Sequence, residues 1–206
     1  MKKFGFTLAE VLITLVIIGV IAAMTIPTLM NNTNQQEFRV GIKKAISALN
    51  QAMSLNYALE GTTVGDSSLS TVEQVRDNLF KKRMSIVSTG TAGTAFATTA
   101  SVTPDSTGIF YTADGMRFGI GGFSNSGVGS LNDEWYYGFI VVDVNGEKGP
   151  NVATTSATYP RDTYIVTMYG NRVVAGKESA PTDSSSVATR EVLYDKQSAN
   201  TAASKS

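Results

Sequence analysis

The sequence contains no cysteine and no histidine among its 206 residues. Disulfide bonds are therefore impossible, and so are zinc sites built from thiolates or imidazoles. Catalytic mechanisms that need a cysteine nucleophile or a histidine base are excluded as well. Charge is balanced, with 17 basic and 17 acidic side chains and a formal net charge of zero. This balance argues against a broad basic surface for nucleic acid.

Charge is scarcest near the N-terminus, where residues 6–30 contain a single ionisable side chain, that of Glu10. The uncharged stretch after it is about 20 residues long, which is enough for a helix to cross the apolar core of a bilayer. Lys2 and Lys3 precede this stretch and favour a cytoplasmic N-terminus. The segment therefore predicts a helix that can enter a membrane.

Two ordinary interpretations of this segment leave Glu10 unexplained. A secretory signal would be cleaved after the apolar run, near Ala22. A plain single-pass anchor would keep the run intact. In both cases a carboxylate inside the apolar segment costs about 3 kcal/mol on insertion scales, so it needs a partner.

A third interpretation comes from the string Gly5-Phe6-Thr7-Leu8-Ala9-Glu10, which resembles the N-terminal segment of type IV pilins and type II secretion pseudopilins. The resemblance implies that a prepilin peptidase cuts between Gly5 and Phe6 and that Phe6 becomes the methylated N-terminus. It also implies that Glu10 pairs with the terminal amine of a neighbouring subunit. An ammonium in apolar surroundings needs a carboxylate, although pairing of Glu10 within its own chain is the alternative.

Gly19 and Pro27 fall where this family often carries residues that loosen the helix. Glycine lowers helix propensity and proline removes one backbone hydrogen bond. Two interpretations are open, namely a segment that bends when subunits leave the bilayer for a fibre, and a mild kink in a membrane anchor.

The helical pattern continues beyond the apolar run, with apolar residues three and four positions apart. These residues are Phe38, Ile42, Ala45, Ile46, Leu49, Ala52, Met53 and Tyr57. The pattern predicts one helix from about residue 6 to residue 59, stopped near Gly61 and roughly 80 Å long. Its second half is amphipathic, so one face packs against the rest of the chain.

The remaining residues predict a small β-rich head. A short helix is expected over residues 72–80, and a flexible surface loop rich in serine, threonine, alanine and glycine over residues 85–108. The expected strands cover residues 109–112, 116–120, 135–144, 163–169 and 172–175. The aromatic cluster Trp135-Tyr136-Tyr137 is expected to pack in the core, and the C-terminal tail beyond Gln197 to be disordered.

These elements predict an α+β, pilin-like fold in which a long N-terminal helix, with its hydrophobic half protruding, packs on an antiparallel β-sheet. The expected organisation is a leader over residues 1–5, a transmembrane or filament-core helix over 6–30, and the amphipathic half of that helix over 31–60. A globular head occupies residues 61–206.

Four polar residues in the head form the one candidate metal site: Asp143, Asn145, Glu147 and Asp162. The string around them resembles the C-terminal part of many pilin-like proteins, and the resemblance implies calcium because some pseudopilins stabilise this region with it. Oxygen ligands on a tight loop suit Ca²⁺. However, the loop lacks the sixth-position glycine and distal glutamate of an EF-hand, and Asn145-Gly146 is above all a turn dipeptide.

The resemblance implies a structural subunit rather than an enzyme. Its expected partners are a prepilin peptidase and methylase, other pilin or pseudopilin subunits, an inner-membrane assembly platform and the lipid bilayer, with no nucleic acid. The expected location is the inner membrane, crossed once with the head outside the cytoplasm, and later a periplasmic or cell-surface filament. The alternative is a membrane-anchored binding module such as an adhesin or a DNA-uptake receptor.

Overall fold

One helix, α1 (Leu8–Glu60), runs through 53 residues and organises the whole chain. The computed structural model describes residues 5, 7–90, 96, 103–131, 134–152, 161–175, 189 and 193, without the side chains of residues 28, 31 and 32. At the end of α1, Gly61 adopts a left-handed backbone with φ of 66° and donates its N–H to the Tyr57 carbonyl at 3.0 Å. Glycine tolerates this conformation, so the predicted stop is confirmed.

The first part of α1 is apolar on every side and packs against nothing in the described chain. Residues Leu8–Pro27 form the one described helix that is long and apolar enough to cross a membrane, as judged by length and composition. None of this segment is buried, and Leu8 and Met24 are 78% and 73% exposed. A helix that is hydrophobic all round needs surroundings other than water.

The second part of α1 buries one face against the head. The buried side chains on this face are Phe38, Ile42, Ala45, Leu49, Ala52, Met53 and Asn56. The expectation for Tyr57 is wrong, because this side chain is 56% exposed and Asn56 points inward instead. Asn50 also anchors the helix, since its side chain accepts from the Val173 N–H at 2.8 Å and donates to the Val173 carbonyl at 3.1 Å.

A short helical segment packs beside the end of α1. It consists of α2 (Val72–Val75), as the spacing predicts, followed directly by a π-helical stretch, Arg76–Lys81. The buried Asn56 side chain joins the two helices, because it donates to the carbonyls of Ala52 and Leu79 and accepts from Arg83 Nε at 3.1 Å.

In the described part of the chain, the head is a seven-stranded antiparallel sheet. Its strands are β1 (Ile86–Thr89), β2 (Ile109–Thr112), β3 (Arg117–Gly121), β4 (Gly129–Leu131), β5 (Glu134–Asp143), β6 (Thr163–Tyr169) and β7 (Val173–Val174). The spatial order is β1-β2-β3-β5-β6-β7, with β4 paired to the start of β5. The predicted α+β architecture and the β2–β3 hairpin are therefore confirmed.

The sheet has an apolar layer on each face. The larger cluster lies between the sheet and α1 and includes Phe110, Phe118, Ile140 and Val166. The smaller cluster lies on the opposite face, where Phe96 covers Ile109, Val141 and Ile165. Alternating side chains of a strand point to opposite faces, so β5 contributes to both layers.

Two features of the predicted loop at residues 85–108 differ from expectation. Residues 86–89 form β1, which pairs with β2, and Phe96 is buried on the outer face of the sheet. The serine-rich and threonine-rich composition conceals this strand because its partner is the hairpin more than 20 residues later, and pairing supplies the stabilisation. Residues 91–95 and 97–102 lie outside the described residues.

The aromatic cluster also differs in part from expectation. Tyr136 is buried, as predicted, but Trp135 is 53% exposed because it lies on the other face of β5. Two residues of the C-terminal region are helical and buried, Thr189 and Leu193, and Thr189 Oγ1 accepts from the Ile165 N–H at 3.1 Å. The expected disorder beyond residue 197 concerns residues outside the described ones.

We expect Asn56→Ala to destabilise the head by about 2 kcal/mol, because it removes the buried amide that donates to the Leu79 carbonyl and accepts from Arg83 Nε. Chemical unfolding of the full chain in detergent, followed by circular dichroism, measures this loss. The exposed neighbour Ser54 is the matched control, and Ser54→Ala should change stability by less than about 0.5 kcal/mol. Equal stability of the two variants would contradict the assigned role of Asn56.

Candidate functional site

The N-terminal site is built by the first turn of α1. Thr7 is its N-cap, with an extended backbone, and the helix begins at Leu8, so the Gly5–Phe6 bond precedes the helix. Gly5 is exposed, and a Cβ added there would meet no atom within 4 Å. Residue 6 itself lies outside the described residues. The Gly5–Phe6 bond, where cleavage is predicted, therefore lies on the non-helical side of the cap.

Glu10 forms a capping box with Thr7. Its Oε2 accepts from the Thr7 N–H and from Thr7 Oγ1, each at 2.8 Å, while the Glu10 N–H donates to Thr7 Oγ1 at 3.3 Å. Such boxes satisfy N–H groups that the first helical turn leaves unpaired. In the single chain, the Glu10 carboxylate thus accepts hydrogen bonds from Thr7 and stays at the exposed end of the apolar segment. Its pairing with a terminal amine, on its own chain or on a neighbour, remains a prediction.

Gly19 and Pro27 lie within the apolar half of α1, and the helix continues through both. A Cβ at Gly19 would meet no atom within 4 Å, so no packing contact of the described chain requires glycine there. Their effect on flexibility remains a prediction.

The second candidate site lies where β3 and β5 are directly paired. Asp143 stands opposite Arg117 in the register, and both side chains are almost fully buried, with 0% and 1% exposure. Arg117 Nη2 donates to Asp143 Oδ2 at 3.1 Å. The guanidinium carbon also lies 3.9 Å from the centroid of the Phe96 ring. A buried charge is tolerated when it is paired in this way.

The other three candidate calcium ligands have partners within the chain. Asp162 accepts from the N–H groups of Asn151 and Val152 at 2.7 and 2.6 Å, while Asn145 donates its side-chain N–H to the Gly149 carbonyl at 3.0 Å. The Glu147 side chain has its partner on strand β2, because Tyr111 donates its hydroxyl to Glu147 Oε1 at 2.6 Å.

The arrangement therefore does not fit a calcium ion. Among the described residues, no three carboxylates lie close enough together to hold a metal. The side chains of Asp143 and Glu147 instead face the positive guanidinium of Arg117, whose Nη1 is 3.9 Å from Glu147 Oε1. Calcium consequently has no place in the function proposed below.

Two residues of these sites are missing from the sequence-based candidates. Thr7 carries a readable signal, because threonine followed three residues later by glutamate is a capping-box pattern. The sequence signal for Arg117 is weaker. A charged residue at the start of a short apolar strand predicts that it has a pairing partner, but not which residue that partner is. Only the β3–β5 register names that partner as Asp143.

Burial raises the pKa of Asp143 to about 7, against the lowering effect of Arg117 and with a further raising effect of nearby Asp162. A carboxyl group with a raised pKa in the folded state binds more protons there than in the unfolded chain. Its contribution to stability is therefore full below the unfolded pKa and is lost as the pH rises towards 7.

We expect the free energy of unfolding to fall by about 2 kcal/mol between pH 5 and pH 7 through this group, since ordinary carboxyl groups are already ionised in that range. Denaturant titrations of the full chain in detergent at several pH values measure the slope. Asp143→Asn keeps the shape but cannot titrate, so its stability should lack this slope. Parallel pH profiles for the two proteins would refute the assignment.

Comparisons with known proteins agree with the geometry of the N-terminal site. Residues 1–26 match the family model described as the prokaryotic N-terminal methylation motif. The chain is 32% identical over 81 residues to the type II secretion system core protein G of Aeromonas hydrophila. That alignment covers 39% of this chain and 52% of the relative, so the chain spans about half the length of the curated relative it matches. No solved structure matches the chain.

The methylation motif coincides with the capped start of α1 and the apolar stem, and the α+β architecture is the one that the resemblance implies. The one described helix that is long and apolar enough to cross a membrane lies near the N-terminus and fits a membrane anchor. The chain therefore carries the prokaryotic N-terminal methylation motif over residues 1–26 and is similar, over part of its length, to a type II secretion system core protein.

Proposed function

We propose that the chain is a structural subunit of a type IV pilus or a type II secretion pseudopilus. The observation that carries the proposal is the stem Leu8–Pro27, which is apolar all round, wholly uncovered and continuous with the helix that forms the core of the head. The stem can be buried in a bilayer or among the stems of other copies.

The order of the segments supports the following proposed steps of processing and assembly. Residues 1–5 are a basic leader that keeps the N-terminus in the cytoplasm, and residues 6–30 anchor the chain in the inner membrane with the head outside. A prepilin peptidase removes the leader and methylates Phe6. An assembly platform then moves the subunit into a periplasmic or cell-surface filament, where residues 6–30 line the core.

Processing between Gly5 and Phe6 has support from the position of the bond before the helix cap. Cleavage there removes two lysines but leaves the whole apolar stem in the mature chain. It also creates an ammonium one helical turn away from Glu10. The carboxylate that is exposed in the single chain then has a cationic partner, either on its own chain or on a neighbour.

We expect the full chain, co-expressed with a prepilin peptidase, to yield a product that begins at Phe6 and carries one methyl group. Mass spectrometry of the N-terminal peptide measures both changes. Gly5→Val should block cleavage without changing the fold, because a side chain at this position has open space around it. An intact N-terminus in the presence of active peptidase would overturn the proposed function.

The role of Glu10 in assembly can be separated from its role in the helix cap. Glu10→Gln keeps a side chain able to form the capping box but removes the charge. Thr7→Ala does the reverse, since it removes the cap hydroxyl and keeps the carboxylate. The two variants therefore form a matched pair.

We expect Glu10→Gln to be processed and to stay in the membrane, but to enter filaments at least about ten times less than the parent chain, because the amine–carboxylate attraction is lost. Thr7→Ala should assemble nearly normally. Filaments sheared from cells and quantified by immunoblot, against the membrane pool, measure incorporation. Normal incorporation of Glu10→Gln would show that this residue acts only as a cap.

A further inference from the structure

The head of this protein contains its own buried cation. The Arg117 side chain is 1% exposed, and its guanidinium has an acidic side chain next to each terminal nitrogen. Nη2 is 3.1 Å from Asp143 Oδ2, and Nη1 is 3.9 Å from Glu147 Oε1. The guanidinium carbon also lies 3.9 Å from the centroid of the Phe96 ring, in a cation–π contact.

The sheet register places this cation at the base of the 143–152 turn. Arg117 on β3 lies directly between Tyr111 on β2 and Asp143 on β5. Tyr111 extends the arrangement by donating its hydroxyl to Glu147 Oε1 at 2.6 Å. The guanidinium thus bridges the last residue of β5 and the side chain of Glu147 four residues further along the turn.

The cluster contains unpaired donors as well as unpaired acceptors. Asp143 Oδ1 and Asn145 Oδ1 are buried acceptors without a hydrogen-bond partner, while Nε and Nη1 of Arg117 are buried donors in the same condition. A site for a divalent ion presents oxygen acceptors alone. Here an ion bound by Asp143 would also meet a positive charge, which repels it.

We propose that Arg117 is the resident cation of this turn and makes the head independent of divalent metal ions. Arg117 supplies the positive charge that balances the acidic turn, and this charge belongs to the sheet itself. A head that binds calcium would instead take its positive charge from solution. The proposal concerns the folded head, and it holds whether or not the chain enters a filament.

The first test measures thermal unfolding of the full chain in detergent micelles by circular dichroism, with excess calcium chloride in one sample and excess EGTA in the other. We expect the two values of Tm to agree. A Tm lower by more than about 3 °C in EGTA would overturn the proposal. This comparison uses the unmodified protein, so it does not depend on the folding of any variant.

The second test asks whether the charge of Arg117 matters or only its volume. We expect Arg117→Met to lower Tm by about 10 °C, because it leaves the buried Asp143 carboxyl group without its counter-charge. Arg117→Lys restores a cation on a similar stem and should unfold at a clearly higher temperature than the methionine variant. Equal Tm values for Arg117→Met and Arg117→Lys, or an unchanged Tm for Arg117→Met, would overturn the proposal.

The matched control is Arg172, whose side chain is 44% exposed and pairs with Glu134 on the surface at 2.5 Å. Exposed ion pairs contribute little to stability. Arg172→Met should therefore keep Tm within about 3 °C of the parent value. A loss as large as that of Arg117→Met would mean that any arginine on the sheet has this effect, and it would count against the special role of Arg117.

Discussion

One constraint underlies the whole structure, because the two halves of the single helix α1 need different surroundings. The stem Leu8–Pro27 has no polar face, whereas the rest of α1 has a buried apolar face and an exposed polar one. The helix is continuous from Leu8 to Glu60, and the described part of the head leaves the stem uncovered. The apolar surface therefore has to be covered by lipid or by other copies of the chain, and that need connects the fold with the proposed assembly.

The head shows how a sheet with apolar layers on both faces accommodates charge. One face carries α1, held by the bidentate contact between Asn50 and Val173. The other face buries Arg117 beneath Phe96, with Asp143 opposite it in the neighbouring strand. Desolvation of these groups opposes folding, and their mutual pairing offsets part of that cost. The raised pKa of Asp143 reflects the desolvation cost that this pairing does not offset.

The main elements of the fold were predictable because their signals are local. Helix α1 was expected within two residues of its ends, and the β2–β3 hairpin was expected from its Asp114-Gly115 turn. Errors arose where the deciding partner is distant in the sequence. Helical spacing cannot choose between Asn56 and Tyr57, since only the carbonyl of Leu79 makes the buried amide favourable. Likewise, Phe96 is a lone aromatic residue in a polar stretch until the sheet provides a surface for it.

The amino-acid sequence by itself determined the stem, the N-terminal methylation motif and the place of Glu10, because charge and hydropathy over residues 1–30 need no knowledge of the head. Tertiary structure alone decided how the four acidic and amide candidates of the head are used. Strand register brings Arg117 opposite Asp143, so one of the four candidates pairs with a cation of the chain itself. The physical reason is that ion pairing acts through a few ångströms of space, whereas the two residues are 26 positions apart in the chain.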